Sequence, residues 1–320
     1  MSDPRFRVVL LGSVVSPMGA ALVSPLLDTL LGVYGVSEAR IGLVMAAFTA
    51  PAIVAIPLVG MVSDQYGRKP VLTAGLALFG AAGSALAFTA DFRLTVALRL
   101  RQGIGYTGIA PVLIAATGDL FAGDREATAQ GLRFTTVGLS LAVFPFLAGL
   151  LVSLAWQYPF YLFALGLPAA VVVHFGFEES ATGASAERGV DVRRLGRLVR
   201  TPRVGLALLG RAVPSFLWFG FLTYNSIVMV RLLDGTPGAA GALVALASVA
   251  SSVGSTQVGR LTAAFDTRRV PLLVGTLATG AGLAGVALAP SLHVAAVVGA
   301  VAVGAGCALF AGRGARPDNM

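Results

Sequence analysis

Apolar runs about twenty residues long follow one another along almost the whole chain. They fall at 8–31, 41–62, 71–89, 94–117, 132–154, 159–177, 204–230, 239–258, 270–289 and 292–312. A helix rises about 1.5 Å per residue, so roughly 20 residues cross the ~30 Å hydrocarbon core of a bilayer. Ten runs of that length predict ten membrane-spanning helices. Barrel strands need only ~10 residues and alternate apolar with polar positions, a pattern these runs lack. Composition agrees: charged residues make up 12% of the 320, against about 25% in soluble domains, and the mean hydropathy is +0.84. The 40 glycines suit helices that approach one another closely in lipid. The first run follows Arg5 and Arg7 but exceeds the roughly 7–15 residues of a signal-peptide core, so it reads as an uncleaved span.

Basic residues set the expected orientation, because short cytoplasmic loops are enriched in Lys and Arg. With the N-terminus inside, 17 of the 23 basic residues fall on the cytoplasmic side, among them Arg5, Arg7, Arg68, Lys69, Arg125, Arg133 and six between Arg188 and Arg203. Three fall outside (Arg40, Arg93, Arg231) and three lie within spans (Arg99, Arg101, Arg211). Both termini are therefore expected in the cytoplasm. The longest link, 178–203, is polar and arginine-rich and follows six spans. It divides the chain into a six-helix N-terminal half (1–177), a cytoplasmic linker (178–203) and a C-terminal half of four helices (204–320). The halves share a trace of repetition: "VGMVSDQYGRKPVL" after span 2 aligns with "VGRLTAAFDTRRVPLL" after span 8, Ala263 standing at the aspartate position and Thr267 at the arginine position.

The link between spans 2 and 3 puts Gly60, Asp64, Gly67, Arg68 and Lys69 between two greasy helices. Span 4 carries "RLRQGIG", with Arg99, Gln102 and Tyr106 at i, i+3 and i+7 and so on one helix face. An arginine inside a span costs on the order of 2.5–3.5 kcal/mol on insertion scales, so Arg99 should face a cavity or a partner. Arg101 points off that face and is expected to snorkel to the interface. Together these motifs resemble the signatures of the major facilitator superfamily, Gly-x-x-x-Asp-x-x-Gly-Arg-Lys and Arg-x-x-Gln-Gly-x-Gly. That resemblance implies an all-α integral membrane bundle. It also implies a cytoplasmic latch at Gly60, Asp64, Gly67, Arg68 and Lys69, although Gln65 stands where the family usually has a basic residue. For Arg99, Gln102, Gly103, Gly105 and Tyr106 it implies a cavity or coupling role. "GDLFAGDREATAQG" is similar to the family's link between helices 4 and 5, with Asp119 and Arg125 in place, and "WQYPF" at Trp156–Phe160 is similar to its entry to helix 6.

Span 5 half matches the antiporter pattern Gly-x8-Gly-x3-Gly-Pro-x2-Gly-Gly. Gly131, Pro145 and Gly149 are in place, while Ser140, Phe144 and Ala148 depart from it. Phe144 is a bulky ring where the pattern brings a neighbouring helix close, so antiport is a lean. Asp28, after Pro25 in span 1, is the one acidic residue well inside a span and reads either as an interfacial carboxylate or as a proton-coupling site. In span 7, Trp218, Tyr224, Asn225 and Ser226 could line a substrate path or serve packing.

Chemistry of other kinds finds no support. There is one cysteine, no His-Glu-x-x-His, no Gly-x-Ser-x-Gly and no Walker loop, so neither an enzyme nor an ATP-driven pump is expected, and no cofactor or metal. Basic residues are dispersed among many links, which excludes a nucleic-acid surface. The expected function is secondary active transport of small organic solutes at the cell membrane, of the family's drug:proton antiporter-like kind. Its partners would be the bilayer, a small-molecule substrate and protons. Family members have six plus six helices and this sequence reads as six plus four, so the alternative expectation is a truncated, non-transporting membrane remnant.

Overall fold

The computed structural model describes residues 3–178 and 202–265, together with residues 275, 277, 280 and 281. In the second stretch it describes side chains from Ser215 to Val253. Every regular element among the described residues is helical. We number the long helices α1 to α8. Apart from residues 275, 277, 280 and 281, the ninth and tenth expected spans lie outside the described residues, as do most of the linker, the side chains of the second copy of the loop motif and that of Arg211.

Prolines decide the course of α1 (Pro4–Tyr34). Asp3 caps it, its carboxylate accepting from Arg5 N at 2.8 Å. Pro17 and Pro25 then lack the N–H that an uninterrupted helix needs, and the span breaks into Pro4–Val15, one turn at Met18–Ala21, a 3-10 turn at Ser24–Leu26 and a last segment, Leu27–Tyr34. Gly35, at φ +60°, ends it. Helix α2 (Glu38–Tyr66) continues through Pro51 and Pro57. It turns into α3 (Arg68–Phe88) at Gly67, whose φ of +96° only glycine adopts readily. Helix α4 is capped by Asp91, which accepts from Leu94 N at 2.7 Å, and breaks at Gly108 into Phe92–Thr107 and Ala110–Leu120. Then come α5 (Asp124–Val152) and α6 (Tyr158–Gly176). Helix α7 runs Pro202–Ile227 and ends in a π-helical turn, Val228–Leu232; α8 is Pro237–Phe265.

Among the described residues, six helices are long and apolar enough to cross a membrane: α1, α2, α3, α5, α6 and the Ser215–Leu232 part of α7. The two shorter pieces of α4 and the short apolar part of α8, Pro237–Val253, complete the eight expected spans on which the structure bears. Many apolar side chains face outward, Ile53 (81% exposed) and Phe175 (79%) among them, as lipid contact requires.

Helices α1–α6 form one bundle. Helix α4 packs between α2 and α3, α3 against α6, and α1 against α5 and α6. Aromatic rings fill its core, with Phe79 edge-on to Phe163 at 5.5 Å and Phe48 6.4 Å from Phe79. Beyond this half, α8 lies along α5 and α7 packs on the broken stretch of α1.

The α5–α8 contact is backbone against backbone. A Cβ on Gly241 would sit 2.2 Å from the carbonyl oxygen of Pro145, and one on Gly149 2.6 Å from that of Pro237. Close approach here comes from Gly149 and from α8's own Gly241, so Phe144, one position round the helix, is free to pack in the core. Gly241→Ala should therefore push the helices apart, with an overpacking cost of about 1–3 kcal/mol. Gly131→Ala meets nothing within 4 Å. It should raise stability by about 0.5–1 kcal/mol, the usual gain over glycine in a helix. Thermal unfolding of the two variants beside the parent checks both, and a neutral Gly241→Ala would refute the tight seam.

Candidate functional site

Arg99 is fully buried and lies on the α2 side of α4. Its Nε donates to the Val44 carbonyl at 3.0 Å, its Nη1 to Gln102 Oε1 at 2.6 Å, and its Nη2 lies 3.8 Å from Met45 Sδ. The guanidinium stacks over the Phe48 ring at 4.5 Å. In this conformation Arg99 thus faces packed protein, and no described carboxylate forms an ion pair with it. Arg101 is exposed. Gln102 is held by Arg99 on its oxygen, while its Nε2 has no hydrogen-bond partner and points into the space left by Gly83, where a Cβ would be 2.4 Å away. Gly103 lets α4 reach α2, a Cβ there meeting the Phe48 carbonyl oxygen at 2.3 Å, and Gly105 does the same against Phe79 and Gly75 of α3. Tyr106 packs its ring 5.2 Å from Phe48.

A second cluster closes one end of the bundle. Arg68, at the start of α3, pairs with Asp64 at the end of α2, donates Nε to Asp119 Oδ2 at 2.9 Å at the end of α4, and bonds Ser63 Oγ at 2.9 Å. Lys69 is half-buried beside it. Three helices are joined through one guanidinium, whose fork can serve two carboxylates at once. Sequence reasoning placed Asp64 and Asp119 in separate motifs and missed that Arg68 connects them; the signal was that both end spans on the side where Arg68 begins one. Gly60 meets nothing within 4 Å, and the turn itself falls at Gly67.

Asp28 lies at the other end, as the antiparallel run of α1 and α2 requires. It accepts from Arg231 Nε at 2.6 Å, and Arg231 Nη1 reaches Glu38 Oε1 at 3.4 Å. The pair joins α1 to the π turn that ends α7, where the widened turn aims the arginine back at α1. Two hydrogen bonds run alongside, Ser24 Oγ to the Leu222 carbonyl at 2.5 Å and Ser226 Oγ to the Pro25 carbonyl at 2.8 Å. Asn225 Nδ2 donates to the Ala240 carbonyl at 2.9 Å, so Asn225 and Ser226 hold helices together, while Tyr224 stays exposed. Nothing in the sequence paired Asp28 with Arg231, two hundred residues away.

Helix α5 adds Arg133. Counted from sequence with the inner-face cations, it is instead enclosed within the bundle, 3% exposed. The apolar run begins at 132, but the helix begins eight residues earlier, at Asp124.

Apolar helices with buried cations, glycine seams between them and polar clasps at both ends suit a close-packed bundle in a membrane. The profile of the Major Facilitator Superfamily matches residues 9–232. The chain is 33% identical over 165 residues to the bacillibactin exporter of Bacillus subtilis (strain 168), covering 48% of this chain and 40% of that protein. It is 28% identical over 197 residues to the class B tetracycline resistance protein of Escherichia coli, covering 58% and 48%. The matches thus span less than half the length of these two relatives. Among solved structures, a bacterial homolog of the human lysosomal transporter Spinster superposes with a TM-score of 0.77 at 18% identity, over 97% of this chain and 75% of that one. By the profile match across most of its length, this multi-pass membrane chain belongs to the Major Facilitator Superfamily.

Proposed function

We propose that this protein is a secondary active transporter of small organic solutes at the cell membrane, working by alternating access and driven by an ion gradient, with protons the candidate coupling ion. Residues 1–177 and 204–320 act as two rocking halves joined by the linker 178–203. One observation carries the reading: α1 and α7 are tied by a charge pair and two side-chain hydrogen bonds, Asp28–Arg231, Ser24–Leu222 and Ser226–Pro25. Such polar contacts can be made and broken within a cycle, whereas a greasy seam would hold one state. The Asp64–Arg68–Asp119 cluster acts at the opposite end of the bundle. An exporter and a resistance protein among the relatives weigh towards transport and against a non-transporting remnant. The test is flux of anionic, cationic and uncharged dyes from proteoliposomes holding the purified chain under an imposed pH gradient. Gradient-dependent movement of at least one dye is expected, and none from the whole panel would refute the proposal.

The basic residues support cytoplasmic termini. Single cysteines at Ser37, Ser185 and Ser291 should react with an impermeant maleimide in intact cells at the first and third positions only. Labelling at position 185 would invert the topology.

A further inference from the structure

Arg133 is a cation enclosed in the bundle, with no counter-ion among the described residues. It is the tenth residue of α5, about 13.5 Å along the helix from Asp124. Its Nε donates to Gln130 Oε1 at 3.0 Å and its guanidinium lies 4.4 Å over the Phe134 ring, but Nη2 has no hydrogen-bond partner among the described residues. No ion pair among the described residues includes it. Arg99 is the internal comparison: all three of its nitrogens are met and its environment is closed around it. A snorkelling arginine would carry its head to the surface, and at 3% exposed Arg133 does not.

The Tyr106 phenol of α4 is within electrostatic reach of Arg133 and lies against Ser16 of α1, beside the break at Pro17. A guanidinium on α5, a phenol on α4 and a serine hydroxyl on α1 thus lie in the same part of the bundle, and α5 is the helix that also forms the seam with α8. A guanidinium with an idle edge matches the two oxygens of a carboxylate or sulfonate, and the phenol adds a neutral donor.

We infer that Arg133 is the anion-recognition residue of the substrate site, so that the transported solute carries a carboxylate, sulfonate or phenolate on an aromatic or apolar body. This rests on the transport reading, and it predicts an unusual pair of effects. Arg133→Met keeps a long unbranched side chain of good helix propensity and removes a buried, half-paired charge. The variant should melt at or above the parent temperature and yet lose anion binding. A structural arginine would do the reverse.

The probes are two dyes sharing a xanthene ring, anionic carboxyfluorescein and cationic rhodamine 6G, with affinity read by fluorescence polarisation on the purified full chain. The parent should prefer carboxyfluorescein by about tenfold, as one charge-assisted bidentate contact allows. Arg133→Met should lose that tenfold and leave rhodamine 6G unchanged, and Tyr106→Phe should weaken carboxyfluorescein alone. An unchanged carboxyfluorescein affinity in Arg133→Met, a lowered melting temperature, or no carboxyfluorescein binding by the parent would each overturn the inference. Arg133-dependent binding without flux would sustain it while defeating the transport reading. Flux of cations with no anion binding would do the opposite.

Discussion

Arg99→Ala is expected to abolish substrate flux while the chain still inserts, and Arg101→Ala to leave flux within about twofold, the range of an exposed substitution. The two arginines differ in where the helix turns them: Arg99 is sealed between α4 and α2, and Arg101 is exposed. Alanine at 99 removes the donors to Val44 and Gln102 and the cation over Phe48. It leaves Gln102, whose Nε2 already lacks a partner, with both ends of its amide unpaired in a dry site. Each unsatisfied buried polar group costs about 1–3 kcal/mol, and the vacated volume adds to that. Relief from burying a charge offsets part of the loss, so the protein survives. Function suffers more, because α2 and α4 are tied at only two described polar points, Arg99 within the bundle and Arg68 at its end. Arg99→Lys restores the charge without the planar fork and should recover little flux. Proteoliposome flux normalised to inserted protein is the measurement. Equal losses in Arg99→Ala and Arg101→Ala would sink the facing argument.

Hydropathy made the helices legible because each apolar run must be a helix in lipid, and eight of the ten runs coincide with described helices. Period alone put Arg99 and Gln102 on one face and Arg101 off it. Two kinds of information were hidden. The first is where helices extend beyond their apolar runs: α5 starts at Asp124 with two turns of largely polar residues, so Arg133, at the edge of the run that begins at 132, was counted with the cytoplasmic-side cations. The second is contact between distant segments. The prolines at 17 and 25 are visible as letters, but that the broken stretch of α1 receives Ser226 and Arg231 from α7 depends on how the halves dock. Likewise the glycines of α5 are visible, whereas the partner that makes the seam close, Gly241, lies on α8 and in none of the sequence motifs.

Loosening the Asp28–Arg231 clasp is expected to open that end of the molecule. The objection is that exposed ion pairs contribute little, and Arg231 is 47% exposed. Asp28, however, is only 14% exposed, so one member of the pair is held in the protein and depends on its partner more than a surface carboxylate would. Modest strength also suits a contact that would break in the proposed transport cycle, because a strong clasp would trap one conformation. Asp28→Asn should therefore broaden the distribution of states without emptying the closed one, since the Ser24 and Ser226 hydrogen bonds remain. Spin labels at Ser37 and Thr236, on opposite sides of the clasp, would report it as a longer and wider distance distribution. Removing the Ser226 hydroxyl as well (Ser226→Ala) should widen it further, because that bond supports the same contact. Reversing the pair, Asp28→Arg with Arg231→Asp, should restore most of the short distance, with Glu38→Gln included so that the new aspartate does not face a carboxylate 3.4 Å from the old arginine nitrogen. Restoration by the swap separates a charge contact from mere packing, which reversal would damage. An unchanged distribution in Asp28→Asn, or a swap no better than either single reversal, would mean that the halves are held at this end by shape and that the charges play no part in opening it.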